Sequence, residues 1–202
     1  AQVRNWRRLL ELADQINVRE IVSEFSGNPN TPVRCEEQWY KSIFELAPDF
    51  EKYGITLSME AHPYDFVERH DDAYSIVRGT NLDWIGYEFC CPHTFHLDDG
   101  VGDVERMITS CAPKLREVHV ADTLNHRAND GNRYIVNPPG VDARVHQHSE
   151  IGKGEVPFDK VFETLRAVGF DGVLSLCVFG FHEHADEINR RMLERVRSEF
   201  GA

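Results

Sequence analysis

No run in this 202-residue sequence approaches the ~20 consecutive apolar residues that a membrane-crossing helix needs. No basic start followed by an apolar segment is present either, so no secretory signal is read. The five cysteines are Cys35, Cys90, Cys91, Cys111 and Cys177; their number is odd and no CxxC spacing occurs. Adjacent Cys90 and Cys91 bridge each other only with difficulty. A secreted disulfide framework is therefore excluded, and a reducing cytoplasm is the expected location. Cys35 and Cys111 fall in helical patterns and are read as core. Positive charge is scarce: 22 Lys and Arg stand against 34 Asp and Glu, for a net −12. Such a field repels phosphate backbones, and no basic stripe counters it, because Arg4, Arg7 and Arg8 read as one solvated helix face. Neither a nucleic acid nor a membrane is an expected partner. The glycine-rich first turn of a dinucleotide-binding fold is also missing.

What is present is an ordinary globular composition, 41% hydrophobic and 28% charged, with alternating helical and strand-like segments. Helical patterns cover about 6–15, 35–53, 65–79, 101–112, 158–169 and 184–200. Between them lie the apolar stretches "REIVSEF", "ITLSMEAHP", "LDWIGYEFC", "LREVHVAD" and "FDGVLSLCVFG". Strands that are apolar almost throughout suit a parallel sheet covered on both faces, and the alternation predicts an α/β fold. About five strands are expected where a (β/α)₈ barrel of ~250 residues has eight. The chain opens within a helical pattern and without methionine. The expectation is a single barrel domain over 1–202 that is N-terminally incomplete, lacking about its first three strands. These belong either to a longer native protein or to a second chain, or another copy, that completes the barrel.

Polar and titratable residues recur just after the strands. The first delivers Glu24, Ser26 and Asn28; the second Glu60 and His62, two apart and so on one strand face. The third delivers Cys90, His93 and His96. The fourth delivers His119 and Asp122, and its long loop adds Arg127, Arg144, His146 and His148. Cys177 follows the fifth, inside "VLSLCVF", where taken alone it reads as a small core residue. His70, His182 and His184 stand by helix starts among acids and read as solvated. In a barrel the C-terminal strand ends converge on one mouth. Glu60, His93, His119 and His148 arrive from different strand ends, the way a mixed nitrogen and oxygen site for one divalent ion is assembled.

The segments "MEAHPYDF", "YEFCCPHTFH", "VHVADT" and "HQHSEIGKGEVPFDKVFETLRAVGFDG" resemble the sugar-phosphate isomerase/epimerase superfamily of xylose isomerase-like barrels. "RYIVNPPG…RVHQH" narrows the resemblance to the members that serve myo-inositol catabolism. The resemblance runs over nearly the whole chain and implies a TIM barrel of xylose isomerase type with one divalent metal, Mn²⁺ or Zn²⁺ above all. It implies Glu60 and His119 as ligands after the fifth and seventh strands of the full barrel. The other two family ligands, an Asp and a Glu, do not match. Cys90 or, with a short insertion, His93 takes the first place, and Cys177 stands in the second. Loss of that Glu puts the family's two-carboxylate proton transfer in doubt.

The resemblance implies a metal-dependent isomerase or epimerase of a small sugar, sugar phosphate or keto-inositol, acting through an enediolate in inositol or carbohydrate catabolism. Glu24 and His62 are the proton-transfer candidates, since both belong at the mouth and neither is needed as a ligand. Arg127, Arg144 and His146 are assigned to substrate, and His148 to the metal. A lyase or dehydratase on a keto-polyol shares this chemistry and stays open. So does a degenerate barrel acting as a subunit or scaffold. Apurinic endonucleases share the barrel, but the charge of −12 argues against a DNA groove.

Overall fold

A computed structural model describes residues 2–125, 148–179 and 182–201, with the backbone alone at His182. The substrate candidates Arg127, Arg144 and His146 lie outside the described residues. The chain divides into two compact units, 1–88 and 89–202.

The first unit holds α1 (Gln2–Gln15), β1 (Glu20–Glu24), α2 (Pro32–Tyr53), β2 (Thr56–Glu60), α3 (His70–Thr80) and most of β3 (Ile85–Cys90). Pro32 opens α2, where its missing N–H would have no helical partner, and Gly54 closes it at φ 60. Ile43, Leu46 and Phe50 recur on one face of α2 and are buried, and Phe50 stacks on Trp84 at 4.2 Å. The strands pair in parallel, β1 with β2 and β2 with β3, in a register that aligns Glu24 with Glu60 and Glu60 with Glu88. One row of the sheet therefore carries three carboxylates at its C-terminal end.

The second unit holds the end of β3, then α4 (Cys91–His96), α5 (Val104–Cys111), β4 (Leu115–Val120), α6 (Phe158–Ala167), β5 (Val173–Leu176) and α7 (Ala185–Phe200). β4 and β5 are parallel, with His119 opposite Ser175. Val118 and Val120 are buried on one face of β4, which leaves Glu117 and His119 to the other.

Several expectations are corrected. The pattern over 65–79 becomes a helix only at His70. Tyr64 at φ 72 reverses the chain, and Asp65 N–H donates to the His62 carbonyl, so 62–67 closes as a turn. His70 is not solvated: its ring is buried, with Nδ1 3.0 Å from the Tyr87 hydroxyl. Cys35 is half-buried, beside Asn28 and Thr31, and not core, whereas Cys111 is buried as expected. The helix α4 is not among the expected elements, because "CPHTFH" is too short to show helical periodicity. Among the described residues no helix is long and apolar enough to cross a membrane.

Candidate functional site

Two polar groupings stand out, one in each unit. In the first, His62 lies between two carboxylates: Glu24 Oε1 is 3.6 Å from Nε2 and Asp65 Oδ2 is 3.9 Å from Nδ1. The turn at Tyr64 brings Asp65 back over the ring. Burial is the main force that pushes the Asp65 carboxyl up to about 6; neighbouring Glu24 and Glu60 add to it, and His62 and the Gly27 amide oppose it. Deeper in the sheet, Glu60 and Glu88 are both buried, with carboxylate oxygens within 4.8 Å of each other.

In the second unit the chain turns straight from β3 into α4, and all six residues of α4 are buried. Thr94 Oγ1 donates to the Cys90 carbonyl at 2.7 Å and tightens that junction. His93 thereby projects against His148, with 3.0 Å between their Nε2 atoms and both side chains buried. His148 Nδ1 stands 2.7 Å from the Cys177 carbonyl, and since a carbonyl only accepts, Nδ1 carries the proton. In the neutral ring Nε2 is then an acceptor, and His93 Nε2–H donates to it. The Cys90 thiol completes a set whose donor atoms all lie within 4.8 Å of one another, and Cys90 is equally near a donor nitrogen of His119. His119 Nε2 also stands 3.6 Å from Glu117 Oε1, and that carboxylate accepts a short hydrogen bond from Ser175.

Asp122 holds His148 in place. Its carboxylate accepts from the backbone N–H groups of Thr123, Gly152 and Val156 at 2.9, 2.7 and 3.0 Å, and its backbone exchanges two hydrogen bonds with Ser149. Gly154 is required by this packing, since a Cβ there would run into the Thr123 carbonyl oxygen. From outside, Arg191 grips Glu150 through both nitrogens at 2.7 and 2.9 Å and holds the Glu150 carboxyl below its usual range.

Of the residues singled out in the sequence, the structure brings Glu24 to His62 and His93 to His148. His96 is occupied structurally, with Nδ1 2.8 Å from the Leu124 carbonyl. The Cys177 side chain joins no donor group among the described residues; its backbone carbonyl does the positioning. Sequence reasoning missed Glu88, Asp65 and Glu117. Glu88 could have been found by setting "YEFCC" beside "SMEAH", which places it opposite Glu60. A cavity of about 570 Å³ also opens beside β1 between α1 and α2, with a mixed polar and apolar lining, and of these groups Glu24 alone reaches it.

The histidine pair and thiol fit a divalent ion: two imidazole nitrogens and a sulfur lie within 4.8 Å of one another, and an ion that displaces the proton shared between the rings would take both nitrogens.

Residues 1–199 match the family described as xylose isomerase-like TIM barrel. An inosose isomerase of Halalkalibacterium halodurans is 25% identical over 192 residues, 82% of this chain and 62% of the relative. One of Bacillus licheniformis is 25% identical over 189 residues, 82% and 63% of the two chains. The chain thus spans less than two thirds of the curated relatives it matches. Among solved structures, the IOLI protein with a binding zinc atom superposes at TM-score 0.73, with 18% identity over 98% of this chain and 68% of the other. The 3-keto-D-glucoside 4-epimerase of E. coli superposes at 0.70, with 16% identity over 97% and 70%. The chain belongs to the xylose isomerase-like TIM barrel family.

Proposed function

We propose that this chain carries the metal-binding and proton-transfer part of an isomerase or epimerase that moves a proton beside the carbonyl of a small sugar or keto-inositol. The observation that carries the reading is the buried His93–His148 pair, whose Nε2 atoms face each other at 3.0 Å with the His148 tautomer fixed from behind. Two imidazoles held at this spacing are spaced as ligands of one ion. The inosose isomerases among the relatives and the sugar epimerases among the structural neighbours support the substrate class.

A divalent ion, when bound, supplies Lewis-acid polarisation of a substrate oxygen. His93 and His148 hold it, and Glu60 and His119 are retained as the ligands that the resemblance implies. His62 moves the substrate proton: its two ring nitrogens lie 3.6 and 3.9 Å from the carboxylates of Glu24 and Asp65, which favour the ring when it takes up a proton. Arg127, Arg144 and His146 are kept as the groups that hold the substrate hydroxyls.

The test is metal analysis of purified protein followed by incubation with inososes and ketoses in deuterated water. The expected result is one divalent ion per chain and deuterium at the carbon next to the carbonyl, with His62→Gln losing exchange by ~10²-fold or more at unchanged metal content. A stoichiometric ion without exchange on any of these substrates overturns the isomerase reading. Absence of any stoichiometric ion overturns the metal-dependent reading and leaves the scaffold.

A further inference from the structure

We infer that Cys90 is a thiolate ligand, so that the metal site of this chain contains sulfur and selects zinc-like ions over magnesium and manganese. The inference rests on the metal-dependent reading above and says which donor set and which class of ion that site takes.

Three observations converge. Cys90 is fully buried and reduced, and its sulfur lies within 4.8 Å of the donor nitrogens of His93 and His148 and, separately, of one on His119. No other cysteine among the described residues joins such a group. Cys91 turns with α4, and Cys177 contributes its backbone carbonyl to His148 and keeps its side chain half-exposed. The backbone at Cys90 is also pinned: it ends β3, caps α4 in an extended conformation (φ −82, ψ 106), and its carbonyl accepts from Thr94. That conformation fixes the Cα–Cβ vector, and a pinned donor loses little freedom on binding.

The chemistry follows from softness. Hard, oxygen-preferring ions such as Mg²⁺ and Mn²⁺ gain little from a thiolate, whereas Zn²⁺ and Co²⁺ bind it at ordinary tetrahedral sites. A buried thiol without such a partner stays protonated, as at Cys111, where burial pushes the thiol up to about 12. Ligation at Cys90 therefore replaces an S–H bond by an S–metal bond and releases one proton to solvent. No oxidant or reductant takes part.

Cobalt provides the test. The metal-free protein is titrated with Co²⁺, and a sulfur-to-cobalt charge-transfer band is sought in the near ultraviolet. One equivalent should bind with the band present; Cys90→Ser should abolish it and weaken Zn²⁺ at least ~10-fold, the lower end of what losing even an outer partner costs. Cys177→Ser should keep the band. Cys90→Asp should shift the preference towards Mn²⁺. X-ray absorption at the zinc edge of the unaltered protein needs no variant, and should show one sulfur at ~2.3 Å with nitrogen at ~2.0–2.1 Å. Stoichiometric metal without a sulfur scatterer, or a band that survives Cys90→Ser, overturns the inference and leaves the metal-dependent reading standing. Failure to bind Co²⁺ or Zn²⁺ at all overturns both.

Discussion

Asp65 carries the clearest consequence for a single residue. Burial, with help from Glu24 and Glu60, lifts its carboxyl from 3.8 to about 6, against the pull of His62 and the Gly27 amide. Because the folded state holds the proton more tightly than the unfolded chain, this group favours folding below pH ~4. That contribution is lost as pH rises towards 6 and stays lost above it. Asp65→Asn should therefore stabilise the protein at pH 7–8 by ~1 kcal/mol, discounted for the solvent that still reaches the site, and change little at pH 3.5. Urea unfolding at the two pH values measures it; an equal effect at both would mean that the charge is not the cause. His148 is the corresponding test of geometry. Its Nδ1–H donates to the Cys177 carbonyl, so His148→Ala removes one donor and frees the carbonyl. It should lower Zn²⁺ affinity by at least ~10-fold, read by competition with a chromophoric chelator. The residue types at these positions were legible from the sequence, but their partners were not. His93, His148, Glu24 and His62 announced themselves by following strands, whereas Asp65 fell inside an assumed helix. Only the left-handed turn at Tyr64, which no local pattern signals, brings it back to His62.

The return segment 148–156 is the element on which the histidine pair depends. The backbone N–H groups of Gly152, Glu155 and Val156 in it, and that of Thr123, lie outside any strand, and the Asp122 carboxylate and the Thr123 carbonyl accept from them. Asp122→Ala strands several buried donors at once and should cost ~3–5 kcal/mol, with metal affinity falling alongside. Asp122→Asn, which keeps the shape but not the charge, should lose less of both. Gly154→Ala drives a methyl into the Thr123 carbonyl and should cost ~2 kcal/mol or more, seen as a lower urea midpoint. Glu150 ties the same segment to α7 through Arg191. Its carboxyl is held low chiefly by that hydrogen bond, so the tie strengthens the fold above the ordinary glutamate range and is lost as pH falls from there through the lowered folded-state value. Elements of ten or more residues showed their period in the sequence. The α4 helix did not: six residues give less than two turns, and burial on every side erases the polar face that periodicity needs.

For the whole chain, alternation of helix and strand was enough to call an α/β fold, because parallel strands covered on both faces are the arrangement that near-continuous apolar runs allow. The division at residues 88 and 89 was not legible, since it falls within β3 and no linker composition marks it. That division makes the donor set testable at the level of the molecule. Cys90, His93, His119 and His148 all belong to the second unit, whereas Glu60 belongs to the first. An ion that binds only the folded state stabilises what it binds by RT ln(1 + [L]/Kd), ~2.7 kcal/mol at a hundredfold excess over Kd. Amide hydrogen exchange with and without Zn²⁺ at that excess should therefore slow in β4, α4 and the segment around His148. If Glu60 is a ligand as the resemblance implies, the amides of β2 should slow with them, and Glu60→Ala should remove that part while leaving some protection in the second unit. If β2 is untouched by zinc while β4 and α4 respond, the ion is held by the imidazole and thiol donors alone, and Glu60 leaves the ligand set. Protection confined to the first unit would instead mean that the buried histidine pair is not where the ion sits.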